Sequence, residues 1–378
     1  MNSRERFLAA TEHKTPDRIP LDFGVGKSLG FHVGFYRKLL DYFGLKEDIT
    51  IAHKEAQCAL ASDTVLEKLQ CDVRCAWPFF SAKASAEEWE DNEYIYYKDG
   101  FGTLVRMPKD DGLYFDMYKP PLEGMDEAAD AAFTWPRIPD FDPAGLERAK
   151  MYQAAGYPVI IEYHFGNGFL QNGPRMYGYE DWFAMLATEE DRVERNLDKL
   201  LELKIQYYDK VFDMYGDALD AVAEADDLGT QTAPFISVEM FRRYMKPRYK
   251  ILFDHIKKRS KAKIVFHADG AMSVFIPDLI EAGIDVLNPV QISCEGMDPF
   301  RLKKEFGRDI TFWGGGVDTQ RILPFGTPAE VREDVKRNIH ALREGGGFIF
   351  SQVHIVQRDV PLENFFAMWE TFMENRNY

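Results

Sequence analysis

The stretch AKIVFHADG (262–270) decides how the rest of the chain is read. Residues 262–266 are apolar or small except for Lys263, a run of strand length, and His267, Asp269 and Gly270 end it. Side chains alternate along a strand, so His267 and Asp269 share one face, and a ring nitrogen and a carboxylate oxygen converge at the strand's carboxyl end. Two readings of the pair stand side by side. A backbone carbonyl can hold the imidazole while Asp269 closes a turn before Gly270, or the pair is chemistry.

Outward from this run, seven more segments have the same character: RIPLDF (18–23), CDVRCAW (71–77), YPVIIEYH (157–164), DALDAVAEADD (217–227), GIDVLNPVQ (283–291), DITFWGGG (309–316) and GGFIFSQVHI (346–355). Between them lie amphipathic stretches such as 190–216 and 237–260, whose apolar residues return every three and four positions. Strand and helix alternating eight times predict an α/β fold, a (β/α)8 TIM-type barrel, as a single domain over residues 1–378. An open doubly wound sheet would want a glycine-rich dinucleotide turn after its first strand, and none is there. One insertion interrupts the alternation near residues 92–124: NEYIYYKDGFGTLVRM (92–107) alternates around Asp99-Gly100, a hairpin signature that either shields an active-site mouth or pads an interface.

Composition limits the partners. With 46 basic and 62 acidic residues the formal charge is −16, which disfavours nucleic acid and anionic membrane and points to a small molecule or another protein. The four cysteines have no CxxC spacing, the charged start MNSRERFLAATEHKTPDRIP is unlike a signal peptide, and no apolar run reaches the roughly 18 residues that span a bilayer. The expectation is a reduced, cytoplasmic protein of enzyme size.

Barrel enzymes work at the carboxyl ends of their strands. Those ends carry Asp22, Asp72 and Arg74, Glu162 and His164, Glu224 with Asp226 and Asp227, His267 and Asp269, Asn288 and Gln291, Trp313, and His354. His267, Asp269 and His354 offer three nitrogen and oxygen donors from two strands, the set for a zinc ion with an open position, which Gln291 or Cys294 could complete. If no metal is held there, Glu162 or Asp226 could serve as general acid. Asp226 or Asp227 could instead cap the following turn. Arg74 either grips a substrate carboxylate through its planar fork or pairs with Asp72 or another acid. His164, Asp227, Gln291 and Trp313 complete the expected substrate wall, and the glycines at 314–316 could let backbone approach a ligand.

Four long segments carry a resemblance: SRERFLAATEHKTPDRIPLDF, FHADGAMSVFIPDLIEAGIDVLNPVQ, GMDPFRLKKEFGRDITFWGGGVDTQ and GGGFIFSQVHIVQRDVPLENFFAMWE. Together they resemble the uroporphyrinogen decarboxylase superfamily over nearly the whole chain, which implies a barrel and one of two chemistries. True decarboxylases carry an arginine-bearing loop of the MRQAGRY type after the first strand; here LDFGVGKSLGFH (21–32) has only Lys27, a poor match for a substrate with many carboxylates. The other branch holds zinc-dependent methyltransferases that work with a corrinoid on a separate protein. Its thiol-using members carry HxC after strand five and a further Cys at the last strand, where this chain has His267-Ala268-Asp269 and His354. The resemblance therefore implies transfer of a methyl group from a small O-methyl donor to a corrinoid protein, with zinc as Lewis acid; a cofactor-independent decarboxylase is the alternative. A homodimer is the oligomeric expectation from the decarboxylase relatives.

Overall fold

The computed structural model describes residues 1–24, 28–76, 87–162 and 165–378. Seven of the eight expected runs form one parallel sheet whose strands neighbour one another in chain order. They are β1 (Arg74–Cys75), β2 (Val159–Ile161), β3 (Ala221–Ala225), β4 (Lys263–His267), β5 (Val286–Asn288), β6 (Thr311–Trp313) and β7 (Phe348–Ile349). The sheet curls into a barrel whose closure is partial. RIPLDF occupies the eighth position, but only Leu21 bridges to the sheet, at Phe350, while Arg18 bridges to Asn377 near the end of the chain. The reason is local: Pro20 has no N–H to donate, and the Leu21 N–H goes to the Asp72 carboxylate at 2.9 Å instead of a ladder carbonyl.

Alternation sorts every strand into a lumen face and a helix face. Val73, Cys75, Ile160, Ala221, Ala223, Val265, Val286, Trp313 and Ile349 fill the lumen together with Phe7, Ala10 and Leu29. Val222 and Phe266 point instead to the larger core shared with the helices. The expected amphipathic segments appear as helix Glu190–Tyr215 and as a helical run that passes from Val238–Met240 through a π-helical turn, Phe241–Met245, into helix Lys246–Arg259. Among the described residues no helix is long and apolar enough to cross a membrane.

The insertion is larger than a hairpin. Strands Tyr94–Lys98 and Leu104–Pro108 pair as expected, and Glu88–Glu90 and Asp116–Lys119 extend them to a four-stranded antiparallel sheet. Asp99 closes the turn by accepting the Phe101 and Thr103 N–H groups, each at 2.9 Å. Arg175 clasps this sheet to the barrel through Glu55 at 2.7 Å and Asp99 at 2.8 Å.

Candidate functional site

The β4 segment leaves the sheet at His267, and the turn that follows is held from both sides. Asp227 accepts the Asp269 N–H at 2.9 Å and Gln291 accepts the Gly270 N–H at 2.6 Å. Gly270 has φ +96°, and a Cβ there would lie 2.1 Å from the Gly229 carbonyl oxygen, so only glycine fits. The parallel register sets His267 beside Asn288 on β5. His267 Nδ1 lies 2.8 Å from Asn288 Oδ1, while its Nε2 lies 3.5 Å from Asp269 Oδ2. His354, just past β7, brings its own Nε2 to 3.5 Å from the same oxygen, and the two imidazoles meet edge to face at 5.7 Å. One donor atom from each of His267, Asp269 and His354 fits within a 4.8 Å cluster, close enough together to hold a metal ion.

Electrostatics tie the three together. Burial by itself would lower the His267 pKa, but hydrogen bonding and charge from Asp269, then Asp227 and Asn288, push it up to about 9. Burial would raise Asp269, yet His354 and His267 hold it below the usual carboxylate range. Asp227 is pushed up by burial and by the neighbouring Asp269 charge.

The cluster opens on a cavity of about 720 Å³ that also takes in Asp227 and Gln291. The inserted segment contributes residues 114–117 to its wall, the last two from strand Asp116–Lys119, beside His53, Glu55 and Arg175. The insertion therefore helps line the cavity. These wall residues were not expected from the sequence; the Asp99-Gly100 hairpin was the only signal, and it does not say what the hairpin covers.

Several expected residues sit elsewhere. Arg74, flanked by lumen-facing Val73 and Cys75, points out of the barrel, stacks over the Tyr157 ring at 4.0 Å and lies 3.2 Å from Asp63. It does not line the cavity, and Asp72 is taken by Arg6 and Arg18. Asp226 points outward too. Fully buried, it accepts the Leu170 and Gln171 N–H groups, both at 2.8 Å, and the Tyr249 hydroxyl at 2.6 Å, so it fixes a loop in the way a cap does. Trp313 is lumen packing: its indole N–H reaches Asp22 at 3.2 Å and its ring meets Phe7 edge-on. Glu162 accepts the Ser28 N–H at 3.0 Å and borders a small recess beneath His267, not the large cavity. Cys294 donates to Gln231 and stands outside the cluster. The glycines at 314–316 make room for protein, not ligand: a Cβ on Gly316 would lie 2.6 Å from the Ser351 carbonyl. His164 and Lys27 lie outside the described residues.

The structural role of Asp226 has a pH signature. Burial pushes its carboxyl up to about 7 against the donors that lower it, above an unfolded value of about 3.9. Protonation thus favours the folded state: this stabilisation is complete below about pH 4 and is lost as pH rises through about 7. Asp226→Asn abolishes that dependence, so the variant's stability deficit relative to wild type should be greatest near pH 4–5 and shrink toward about pH 8. Denaturant melts across that range check it; a pH-independent deficit refutes the assignment.

The profile of uroporphyrinogen decarboxylase (URO-D) matches residues 169–374, more than half of the sequence. The chain belongs to the uroporphyrinogen decarboxylase family. The matched region holds Asp227, His267, Asp269, Asn288, Gln291 and His354, whereas Arg74, Glu162 and the inserted sheet precede it. Among solved structures, a methyltransferase from Methanosarcina mazei aligns with TM-score 0.65 at 16% identity over 99% of each chain, so the two share a fold from end to end. A dihydropteroate synthase from Xanthomonas albilineans, with 4-aminobenzoic acid, overlaps 40% of this chain and 52% of its own at 13% identity and TM-score 0.27, too little to argue from. No curated protein matches the sequence.

Proposed function

We propose that this family member is a methyltransferase that moves a methyl group from a small O-methyl donor to the cobalt of a corrinoid presented by a separate protein, with zinc held by His267, Asp269 and His354. The observation that carries it is the three-donor cluster at the cavity floor, with the far side of His267 already committed to Asn288. A metal-bound histidine needs such a partner on its other nitrogen. When bound, zinc supplies a Lewis acid that stabilises charge on the departing oxygen. The chain's own residues do the rest. Asp227 and Gln291 hold the turn that carries Asp269. Residues 114–117 of the inserted segment help line the space where the donor would sit.

Cavity charge separates this reading from decarboxylation of a polyanion. Among the described residues the lining carries Glu55, Asp116, Asp227 and Asp269 against Arg175 and His267, whose pKa is raised; Arg175 is already paired with Glu55 and Asp99, and His267 faces Asp269. A substrate with several carboxylates would meet repulsion there. The test is to follow the cobalamin spectrum of added cob(I)alamin with alkyl and aryl methyl ethers. Methylation should appear, stop on chelation and return with zinc. Cobalt that stays unmethylated with every donor, together with carboxylate-substrate turnover that survives chelation, would transfer the assignment to a cofactor-independent lyase.

A further inference from the structure

The His267 ring faces two ways, and the structure shows what chooses between them. One nitrogen lies against Asn288 Oδ1 at 2.8 Å and the other faces Asp269. An asparagine can present either end of its amide, so the question is what holds the oxygen toward His267. The amino end of Asn288 is used on the opposite side, where it donates to the Trp313 carbonyl on β6 at 3.4 Å. The Asn288 backbone carbonyl accepts the Ala268 N–H at 2.8 Å, which pins the strand beside β4. Asn288 is 3% exposed, and the recess next to it is lined by Leu29, Ile160, Ala223 and Val265 together with Ser28, Glu162 and Glu224; it is the Trp313 carbonyl that takes the amino end. With the oxygen oriented this way, Nδ1 must carry a proton, and Nε2 is the nitrogen left to face Asp269 and His354.

We propose that Asn288 is the positioning residue of the metal centre: bridging β4 and β6, it fixes the ring orientation and tautomer that present His267 Nε2 as a ligand. The inference rests on the metal reading of the cluster given above and assigns a role that neither the strand-end pattern nor the family membership states. Asn288 touches no reacting atom. It acts through His267, as the outer partners of metal-bound histidines do, and loss of such a partner lowers metal affinity by about 10–100-fold.

The experiment titrates metal-free protein with zinc and with cobalt(II), whose visible spectrum reports coordination, in wild type, Asn288→Leu and Asn288→Asp. Leucine keeps the volume but removes the acceptor; aspartate keeps an acceptor oxygen. Asn288→Leu should bind both metals about 10–100-fold more weakly with an altered cobalt spectrum, and Asn288→Asp should stay within a few-fold of wild type. Unfolding midpoints of the metal-free proteins are measured alongside, because a merely structural asparagine would lower the midpoint and leave the affinity of the folded protein alone. Should Asn288→Leu not fold, the zinc-loaded wild type still decides: ring-nitrogen NMR should show His267 metallated at Nε2 and protonated at Nδ1, and the reverse attachment overturns the proposal. Wild-type affinity retained in Asn288→Leu sinks this inference alone. Failure of wild type to bind either metal sinks the metal reading and this inference with it.

Discussion

Alanine at His267 or at His354 should take the bound metal from about one ion per chain to essentially none, because either change leaves two protein donors where a zinc site with an open position uses three. Methyl transfer should fall with it. Lewis-acid stabilisation of the leaving oxygen is worth several kcal/mol, and about 4 kcal/mol corresponds to a factor of about 10³ in rate. Elemental analysis of purified protein, wild type beside variants, reads the first effect and the cob(I)alamin assay the second. Cys294→Ser is the informative control: its thiol is engaged with Gln231 and lies outside the cluster, so metal content should not change. Two histidines and one carboxylate also suit ferrous iron, and the same measurement names the metal. A full complement of metal in His267→Ala would remove the cluster from the mechanism.

Lys204→Met should destabilise the fold by about 3–5 kcal/mol, the cost of stranding one member of a buried ion pair. Lys204 and Glu224 are both completely buried, 2.6 Å apart. Lys204 also donates to the Phe165 carbonyl at 3.0 Å, and the Tyr208 hydroxyl reaches Glu224 at 2.9 Å. The pair fastens helix Glu190–Tyr215 to the outward face of β3, the strand whose end supplies Asp226 and Asp227. Lys204→Met combined with Glu224→Leu should recover most of the loss, since a matched apolar pair of similar volume is often neutral or better. Denaturant unfolding of the two singles and the double closes the cycle. Additive losses, with no recovery in the double, would mean that the two groups act independently.

The strand-end polar residues show where reading along the chain stopped. His267 and Asp269 were legible as a same-face pair because a period of two is local. For Asp226 and Asp227 the deciding sign was also present: alanines at 221, 223 and 225 mark the side that fits a crowded lumen, which sends Asp227 to the cavity and Asp226 to the helices. Arg74 between Val73 and Cys75 obeys the same rule. Parity on a strand flips with a single residue, so these assignments needed the register of each strand and not only its position.

The sequence by itself determined the eight runs and their order, the amphipathic helices between them, the hairpin at Asp99-Gly100 and the pairing of His267 with Asp269, all of which follow from periodicity and turn chemistry over a few residues. Only the tertiary structure decided that His354 meets Asp269, that Asn288 rather than a backbone carbonyl takes the His267 ring, that Arg175 clasps the inserted sheet and that the inserted segment helps line the cavity. Those contacts join positions that are 21 to 120 residues apart. The curl of the barrel and the pairing register of its strands create them, and neither leaves a trace in any local stretch of sequence.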